Sequence, residues 1–243
     1  MPDCLIPKVI EKLYPDVTEV FVNPELLRPY FFPLLSFKHD GQLFHMIAVP
    51  GLFFNETQCQ HYSECGFFGF QRDQDGRYEF LGGFSIFEEY QEVPALYKIL
   101  QEDWLLHGEK YYHQHITVKD YISSLDIQDN LKKKLKCYIG DFYGYQMTKT
   151  NWYRTGKFKT FMFMTEAWSN VDALDFINAN EHDQAGDFLV NKDFILKFDY
   201  DLTPEMMIGG IGKGDFLSVI NGGTNFLFWD DVKDIIYLVE LYS

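Results

Sequence analysis

The chain has 243 residues and carries 36 acidic against 21 basic side chains, which gives a formal net charge of −15. Hydrophobic residues make up 47% and aromatic residues 18%, a composition that excludes an intrinsically disordered or linker-rich protein. The negative charge disfavours direct binding of nucleic acid or of an anionic membrane surface, because both would be repelled.

The N-terminal residues predict a cytoplasmic protein. Pro2, Pro7 and several early charges precede any apolar run, so neither a secretory signal nor a membrane span is expected. The four cysteines, at positions 4, 59, 65 and 137, lack the spacing of a disulfide framework. They are therefore expected to be reduced thiols.

The first half predicts a short helix followed by two β-hairpins. The helix is expected over Ile6–Leu13. Alternating apolar residues predict strands at Leu34–Phe37, Leu43–Val49, Phe67–Gln71 and Tyr78–Leu81. Each pair of strands is joined through an Asp-Gly dipeptide, which is typical of tight hairpin turns. Two hairpins so close together indicate an antiparallel or mixed sheet.

The middle of the chain predicts helices. Apolar spacing favours a helix that begins near Pro94 and ends before Gly108, which would occupy the position after its C-terminus. Further helices are expected over residues 118–125, 127–140 and 172–179, with a polar connection at 148–157, a strand at 158–167 and an acidic loop at 180–188. The lysine cluster at 132–136 is interpreted as a solvated helix face.

The last fifty residues predict a sheet that closes the domain. The glycines at 209, 210, 212 and 214 allow a phosphate-loop interpretation, because glycine-rich turns expose backbone N–H groups to an anion. A dinucleotide loop would be followed by a helix, whereas here a strand-like segment, DFLSVI, follows. We therefore favour a structural β-turn or bulge.

Two groups of residues raise the question of a metal site. Cys59, His61 and Cys65, with His45 upstream, could form a tetrahedral zinc set, but the second Cys pair of a zinc ribbon is missing. His107, His113 and His115 form the other group, in which the last two would share one face of a strand. Ordinary thiols and a packed aromatic cluster are the favoured interpretations, so neither a metal nor a cofactor is predicted.

No motif for covalent catalysis is present. The chain lacks a G-x-S-x-G nucleophile elbow. Paired acids are frequent, but in so acidic a chain they are typical of a solvated surface. The sequence therefore favours a protein that is not an enzyme.

Two segments combine acidic and aromatic side chains, SIFEEYQE and NFLFWDDV. In a protein interface, aromatic side chains supply buried anchors, and carboxylates attract and pair with basic groups. The candidate partner-binding residues are Glu88, Glu89, Tyr90, Glu92, Trp229, Asp230 and Asp231. The alternative is that both segments are amphipathic helices with an aromatic core face.

The C-terminal quarter resembles the end of the YwqG-like family of uncharacterised bacterial proteins. The shared order is an apolar strand that ends in an acidic pair, a Met-containing Gly/Asp turn, a strand, a short helix rich in Asp and Leu or Phe, and a last apolar strand. The corresponding residues here are Phe194–Asp201, Met207–Asp215, Phe216–Ile220 and Trp229–Tyr242. Ile208 stands where that family usually has Trp. The resemblance implies a mixed α/β fold of two related sheet-bearing halves in a cytosolic bacterial protein. A shorter segment, Ile208–Leu217, is similar to a strand of the SUKH superfamily of immunity and scaffold proteins.

Together these observations predict an α+β fold with mixed or mainly antiparallel sheets and flanking helices. A single globular domain is expected over residues 1–243, with a candidate internal division near 140–157. The predicted function is a non-enzymatic acidic binding protein, an immunity-type inhibitor that masks a basic toxin or nuclease. The alternative is an enzyme or small-ligand binder of unrecognised type, with a pocket between the two halves.

Overall fold

The structure is a computed structural model that describes residues 4–114, 125–162, 167–179, 181, 196–217 and 223–241. Within these ranges it has five α-helices and twelve strands in antiparallel sheets, so the predicted α+β class is confirmed. The helices are α1 Val17–Val20, α2 Pro24–Leu27, α3 Val93–Gln114, α4 Asp129–Lys134 and α5 Lys136–Thr155. The strands are β1 Ile10–Leu13, β2 Phe32–His39, β3 Gln42–Ala48, β4 Ser63–Glu64, β5 Phe67–Arg72, β6 Tyr78–Phe80, β7 Lys159–Met162, β8 Ala167–Asn170, β9 Phe176–Asn178, β10 Met207–Gly212, β11 Thr224–Asp230 and β12 Ile235–Leu241. Short 3₁₀ turns lie at Glu56–Gln58, Phe84–Ile86, Pro204–Met206 and Lys213–Asp215.

A three-stranded sheet, in the order β1-β2-β3, forms the N-terminal layer. The predicted β2–β3 hairpin is confirmed, and both residues of its turn have positive φ, +47° at Asp40 and +75° at Gly41. The predicted helix at Ile6–Leu13 is wrong, because residues 6–9 are irregular or in a turn and Ile10–Leu13 pairs with β2 as strand β1. Pairing with the free edge of β2 outweighs the weak helical preference of so short a segment.

A seven-stranded sheet is drawn from both halves of the sequence. Its order is β4-β5-β12-β11-β10-β9, with β6 paired to β5 as the second predicted hairpin. The last strand of the chain, β12, lies between β5 and β11. The sheet therefore joins residues 63–80 directly to the C-terminus. Strands β7 and β8 form a separate two-stranded sheet.

Both faces of the large sheet are buried. On one face Leu227 and Leu238 belong to the main core, which also contains β2, β3, α3 and α5. On the other face Phe226 and Tyr237 pack in a second cluster with Tyr200. Because alternate residues of a strand point to opposite faces, β11 and β12 need apolar residues at nearly every position.

The two long helices extend further than predicted. Helix α3 continues through Gly108 to Gln114, and a β-carbon at Gly108 would lie 2.8 Å from the ring of Trp104. Gly108 therefore makes room for a ring one turn earlier and does not end the helix. Helix α5 covers most of the expected connection at 148–157 and ends at Gly156, whose φ is +65°.

The segment near 140–157 is thus mainly helical, and it packs into the core. The hydroxyl of Tyr138 donates to the carbonyl of Pro29 at 2.8 Å, and that of Tyr145 to the carbonyl of Pro33 at 2.7 Å. These bonds attach α5 to β2 and to the segment that precedes it. The resemblance between the two halves of the chain, before and after this segment, stays a prediction.

Several further expectations need correction or lie outside the described residues. Phe176–Asn178 is strand β9, paired with β10, so the helix expected at 172–179 is wrong. Residues 196–201 and 216–217 are not in strands, although the family resemblance implied strands there. The helix at 118–125 and the loop at 180–188 lie almost entirely outside the described residues.

Candidate functional site

The predicted acidic segment at 88–92 forms a turn in front of α3. Glu88 and Glu92 are exposed, whereas Glu89 has a φ of +55° and forms an ion pair with Lys134. The backbone N–H of Val93 donates to the carbonyl of Glu89 at 3.2 Å. The carboxylates therefore lie at the N-terminus of a long helix, where negative charge is favourable.

Tyr90 is held in place by its neighbours. Its carbonyl oxygen accepts a bond of 2.6 Å from the hydroxyl of Tyr30, and its own hydroxyl accepts one of 3.1 Å from the amide of Gln91. The ring is half-buried against the main core. Tyr90 thus anchors the turn that presents the glutamates.

An exposed aromatic ring, which the sequence did not single out, lies beside these carboxylates. Phe53 is 55% exposed, and its carbonyl oxygen accepts a bond of 2.8 Å from the backbone N–H of Glu88. Among the described residues, Glu88 and Glu92 form no direct ion pair, although the charge of Lys134, which pairs with Glu89, acts on both. We call Phe53, Glu88, Glu89, Tyr90 and Glu92 the acidic surface. Sequence reasoning missed Phe53 because a pair of phenylalanines is more typical of a core.

Trp229 and Asp230 have structural roles at the β11–β12 turn. The indole N–H of Trp229 donates to Asp234 at 3.0 Å, and its ring packs on Phe44 with centroids 5.1 Å apart. Asp230 is buried and accepts from the backbone N–H of Lys233 at 3.0 Å. Only Asp231 of this group is exposed. The alternative of a core helix is wrong here, because the segment is the end of a strand and its turn.

The two predicted groups lie near opposite ends of β5. Phe87, next to the acidic surface, packs on Phe68 with centroids 5.5 Å apart. The β11–β12 turn reaches the other end of the strand, where Arg72 lies 3.5 Å from Asp234. Arg72 lies four positions after Phe68 in the extended chain, a distance of roughly 13 Å. The structure therefore gives no single patch made of both groups.

Among the described residues, the members of the first candidate metal site, Cys59, His61, Cys65 and His45, do not form one cluster. His45 is buried in β3, with Nδ1 2.9 Å from Ser36 Oγ, and burial lowers its pKa to about 4. Burial, followed by the neighbouring Cys59, raises the pKa of the Cys65 thiol to about 12. His61 stacks on Tyr200, with ring centroids 4.9 Å apart.

His107 and His113 both lie on α3, so the expectation of a shared strand face is wrong for His113; His115 lies outside the described residues. His113 Nε2 lies 3.5 Å from Glu109 and 3.3 Å from Arg154. Six positions on a helix place His107 on a different side from His113. In the described part of the chain, no three His, Cys, Asp or Glu side chains are grouped so as to hold a metal.

A buried polar cluster escaped sequence reasoning. Lys213 Nζ lies 3.1 Å from Glu240 Oε2, and both side chains are almost fully buried. Glu240 Oε1 accepts from the backbone N–H of Val49 at 2.8 Å and from the amide of Asn225 at 3.3 Å. The cluster thereby ties the end of β3 to β11, β12 and the turn after β10. No local motif signals it, because its members are far apart in sequence.

Asp141 of α5 belongs to the same cluster. Burial raises its pKa to about 7, against the opposing effects of Lys213 and of the backbone N–H of Gly51. Asp141 Oδ2 and Asn225 Oδ1 have no hydrogen-bond partner within the described residues. The cluster lines neither of the two cavities described next, so we interpret it as a structural connection inside the core.

A groove of about 370 Å³ lies between the α1–β2 segment, α3 and α5. Its walls are formed by Asp16, Val17, Arg28, Phe32, Pro33, Tyr97, Gln101, Trp104, Leu105, Tyr145, Gln146 and Lys149. The two basic residues that line the groove lie over aromatic rings. Arg28 lies 5.6 Å from the ring centroid of Tyr97, and Lys149 lies 5.6 Å from that of Tyr145. A larger depression, of about 540 Å³, lies beside the β2–β3 turn.

Comparison with known proteins gives no relative. No family model, no curated protein and no solved structure matches this chain. The resemblance to the YwqG-like family therefore stays a prediction. None of the helices that the structure describes is long and apolar enough to cross a membrane.

Proposed function

We propose that this chain is a non-enzymatic binding protein that uses its acidic surface to capture a basic protein. An immunity-type inhibitor of a basic toxin or nuclease is the form of this function that the composition favours. A net charge of −15 would accelerate encounter with such a partner through long-range attraction.

The observation that carries the proposal is the exposed ring of Phe53 beside the exposed carboxylates of Glu88 and Glu92. A half-exposed aromatic side chain gains free energy when a partner covers it. The two carboxylates can pair with Arg or Lys around it. Tyr90, which is hydrogen-bonded on both sides, holds this arrangement before a partner arrives.

The position of the acidic surface at the start of α3 gives a competing explanation, in which the glutamates only stabilise the helix. Such an effect amounts to about 0.3–1 kcal/mol for each charge. It explains the carboxylates but leaves the exposure of Phe53 unexplained. Binding and helix stability are therefore to be measured separately.

The test is a comparison of two charge reversals that change the net charge equally. E88K/E92K alters the acidic surface, and E79K/E102K alters two exposed glutamates on β6 and α3. Each protein is used as bait in a lysate of its source cell at about 50 mM and about 500 mM salt, since screening weakens exposed charge pairs. The basic protein retained is then purified, and its Kd and its own activity are measured with each variant.

We expect a salt-sensitive partner whose affinity falls at least tenfold with E88K/E92K and little with E79K/E102K. Wild-type protein should also inhibit the activity of that partner. Equal losses of affinity in both variants would mean that binding depends on net charge and not on the acidic surface, which would contradict the proposal. The absence of any salt-sensitive partner would contradict the proposal.

A further inference from the structure

We propose that the groove between the α1–β2 segment, α3 and α5 is a binding site for a small aromatic carboxylate. It is separate from the acidic surface and does not depend on the function proposed for it. Its volume of about 370 Å³ lies at the low end of the range of small-molecule sites, roughly 300–1,000 Å³. This size suits a single ring with one polar substituent.

The first argument is the state of Lys149. Its side chain is partly buried on α5, and among the described residues it forms neither an ion pair nor a hydrogen bond. Burial lowers its pKa, which the charge of Asp16 partly offsets. Asp16 itself caps α1, accepting from the backbone N–H of Thr18 at 2.9 Å and from its hydroxyl at 2.7 Å. A cation in this position is a natural partner for an incoming anion.

Arg28 supplies a second cation on the same groove. Its guanidinium pairs with Glu25 at 2.5 Å, but the Glu25 side chain is 75% exposed while that of Arg28 is 26% exposed. An exposed pair of this kind contributes little stability, so Arg28 can exchange it for a ligand carboxylate. The planar guanidinium matches a carboxylate with two parallel hydrogen bonds.

Neutral donors and aromatic walls complete the site. The hydroxyl of Tyr97 and the amides of Gln101 and Gln146 have no hydrogen-bond partner among the described residues, although Tyr97 is only 8% exposed. The rings of Phe32, Trp104 and Tyr145 line the same groove. Apolar walls with a few convergent polar groups are the usual composition of a ligand site.

The balance of charge favours a carboxylate over a phosphate dianion. Two cations line the groove, but Asp16 lies on its wall and Glu25 adjoins Arg28. A single negative charge can be matched by Arg28 and Lys149 without strong repulsion from these two acids. A dianion would meet both attraction and repulsion at close range.

The experiment measures binding of benzoate, phenyl phosphate and benzylamine to the full chain by calorimetry at neutral pH. The variants are K149M, R28M and Y97F, with K98M as the control, because Lys98 lies on α3 outside the groove. Thermal unfolding of each variant verifies that it is folded. Y97F removes one hydroxyl only, so it tests the site even if a charge variant fails to fold.

We expect benzoate to bind with a millimolar or tighter Kd, and K149M and R28M to weaken it at least tenfold. Y97F should weaken it about three- to tenfold, and K98M should leave it unchanged. Phenyl phosphate should bind more weakly than benzoate, and benzylamine should not bind. Absence of saturable benzoate binding, equal binding by benzylamine, or unchanged affinity in folded K149M and R28M would overturn the proposal.

Discussion

Single buried ionisable residues make the stability of this protein depend on pH in opposing directions. Asp141 has a raised pKa, so its neutral form favours the folded state, and its ionisation reduces stability as pH rises. His45 has a lowered pKa, so its protonation reduces stability as pH falls from about 6.5 towards about 4. Between about pH 4 and about pH 6.5 the effects of Asp141 and His45 on stability therefore partly cancel.

Replacement of Asp141 by Asn isolates its contribution. The wild-type protein should lose stability from about pH 4 to about pH 7 relative to D141N, because only the wild type must ionise a buried carboxyl. A shift of this size corresponds to roughly 2–4 kcal/mol. Urea unfolding at about pH 5 and at about pH 8 measures the difference in stability between the wild-type protein and D141N. A stability difference that is the same at both pH values would contradict the prediction.

At the scale of elements, Gly209 of β10 makes room for aromatic rings from two other strands, β9 and β2. A β-carbon at Gly209 would lie 2.8 Å from the ring of Phe176 and 3.1 Å from that of Phe37. At Gly212, on the same strand, a β-carbon would meet no atom within 4 Å. The glycine-rich segment that was expected to form a turn is thus mainly the strand β10. It contains a bulge between Met207 and Gly209, where Gly209 gives space to aromatic rings from β2 and β9.

This difference gives a matched pair of variants. G209A should lower the free energy of unfolding by about 1–3 kcal/mol, because the rings must shift to admit a methyl group. G212A should change it by no more than about 0.5 kcal/mol, since the site is open. Chemical denaturation of both variants tests the prediction. Equal losses of unfolding free energy would mean that the rings around Gly209 move aside without an energetic cost. Both positions would then require glycine for another reason.

At the scale of the whole molecule, the Lys213–Glu240 pair joins parts of the chain that no local interaction would bring together. Its contacts connect β3, β11, β12 and the turn after β10 inside the core. A buried ion pair is a weak source of net stability, but the removal of one partner leaves an uncompensated charge.

K213M should therefore lower the free energy of unfolding by about 3–5 kcal/mol. The double variant K213M/E240Q should recover at least half of that loss, because glutamine is neutral and can still accept from the backbone N–H of Val49. Equilibrium unfolding of wild type, both single variants and the double variant forms a complete cycle. Additive losses would show that the two side chains do not depend on each other.

Local patterns predicted the elements whose stability is local. Asp40-Gly41 and Asp75-Gly76 identified both hairpins, because a tight turn selects residues that tolerate positive φ. The Ile6–Leu13 segment and the 172–179 segment were misjudged, because β1 and β9 exist through pairing with distant strands. Residues 88–92 were recognised as an acidic and aromatic segment, but Phe53 and the groove around Lys149 depend on contacts between separate elements.

The sequence by itself determined the class of the fold, the acidic character and the two hairpins, since composition and short-range patterns carry that information. The tertiary structure alone decided which acids are exposed and which aromatic rings are buried. It placed Asp230 at the buried end of a strand, Glu88 on the surface and Lys149 in a groove, although all three are charged residues. The physical reason is that exposure and pKa depend on neighbours brought close by folding, and those neighbours lie far away along the chain.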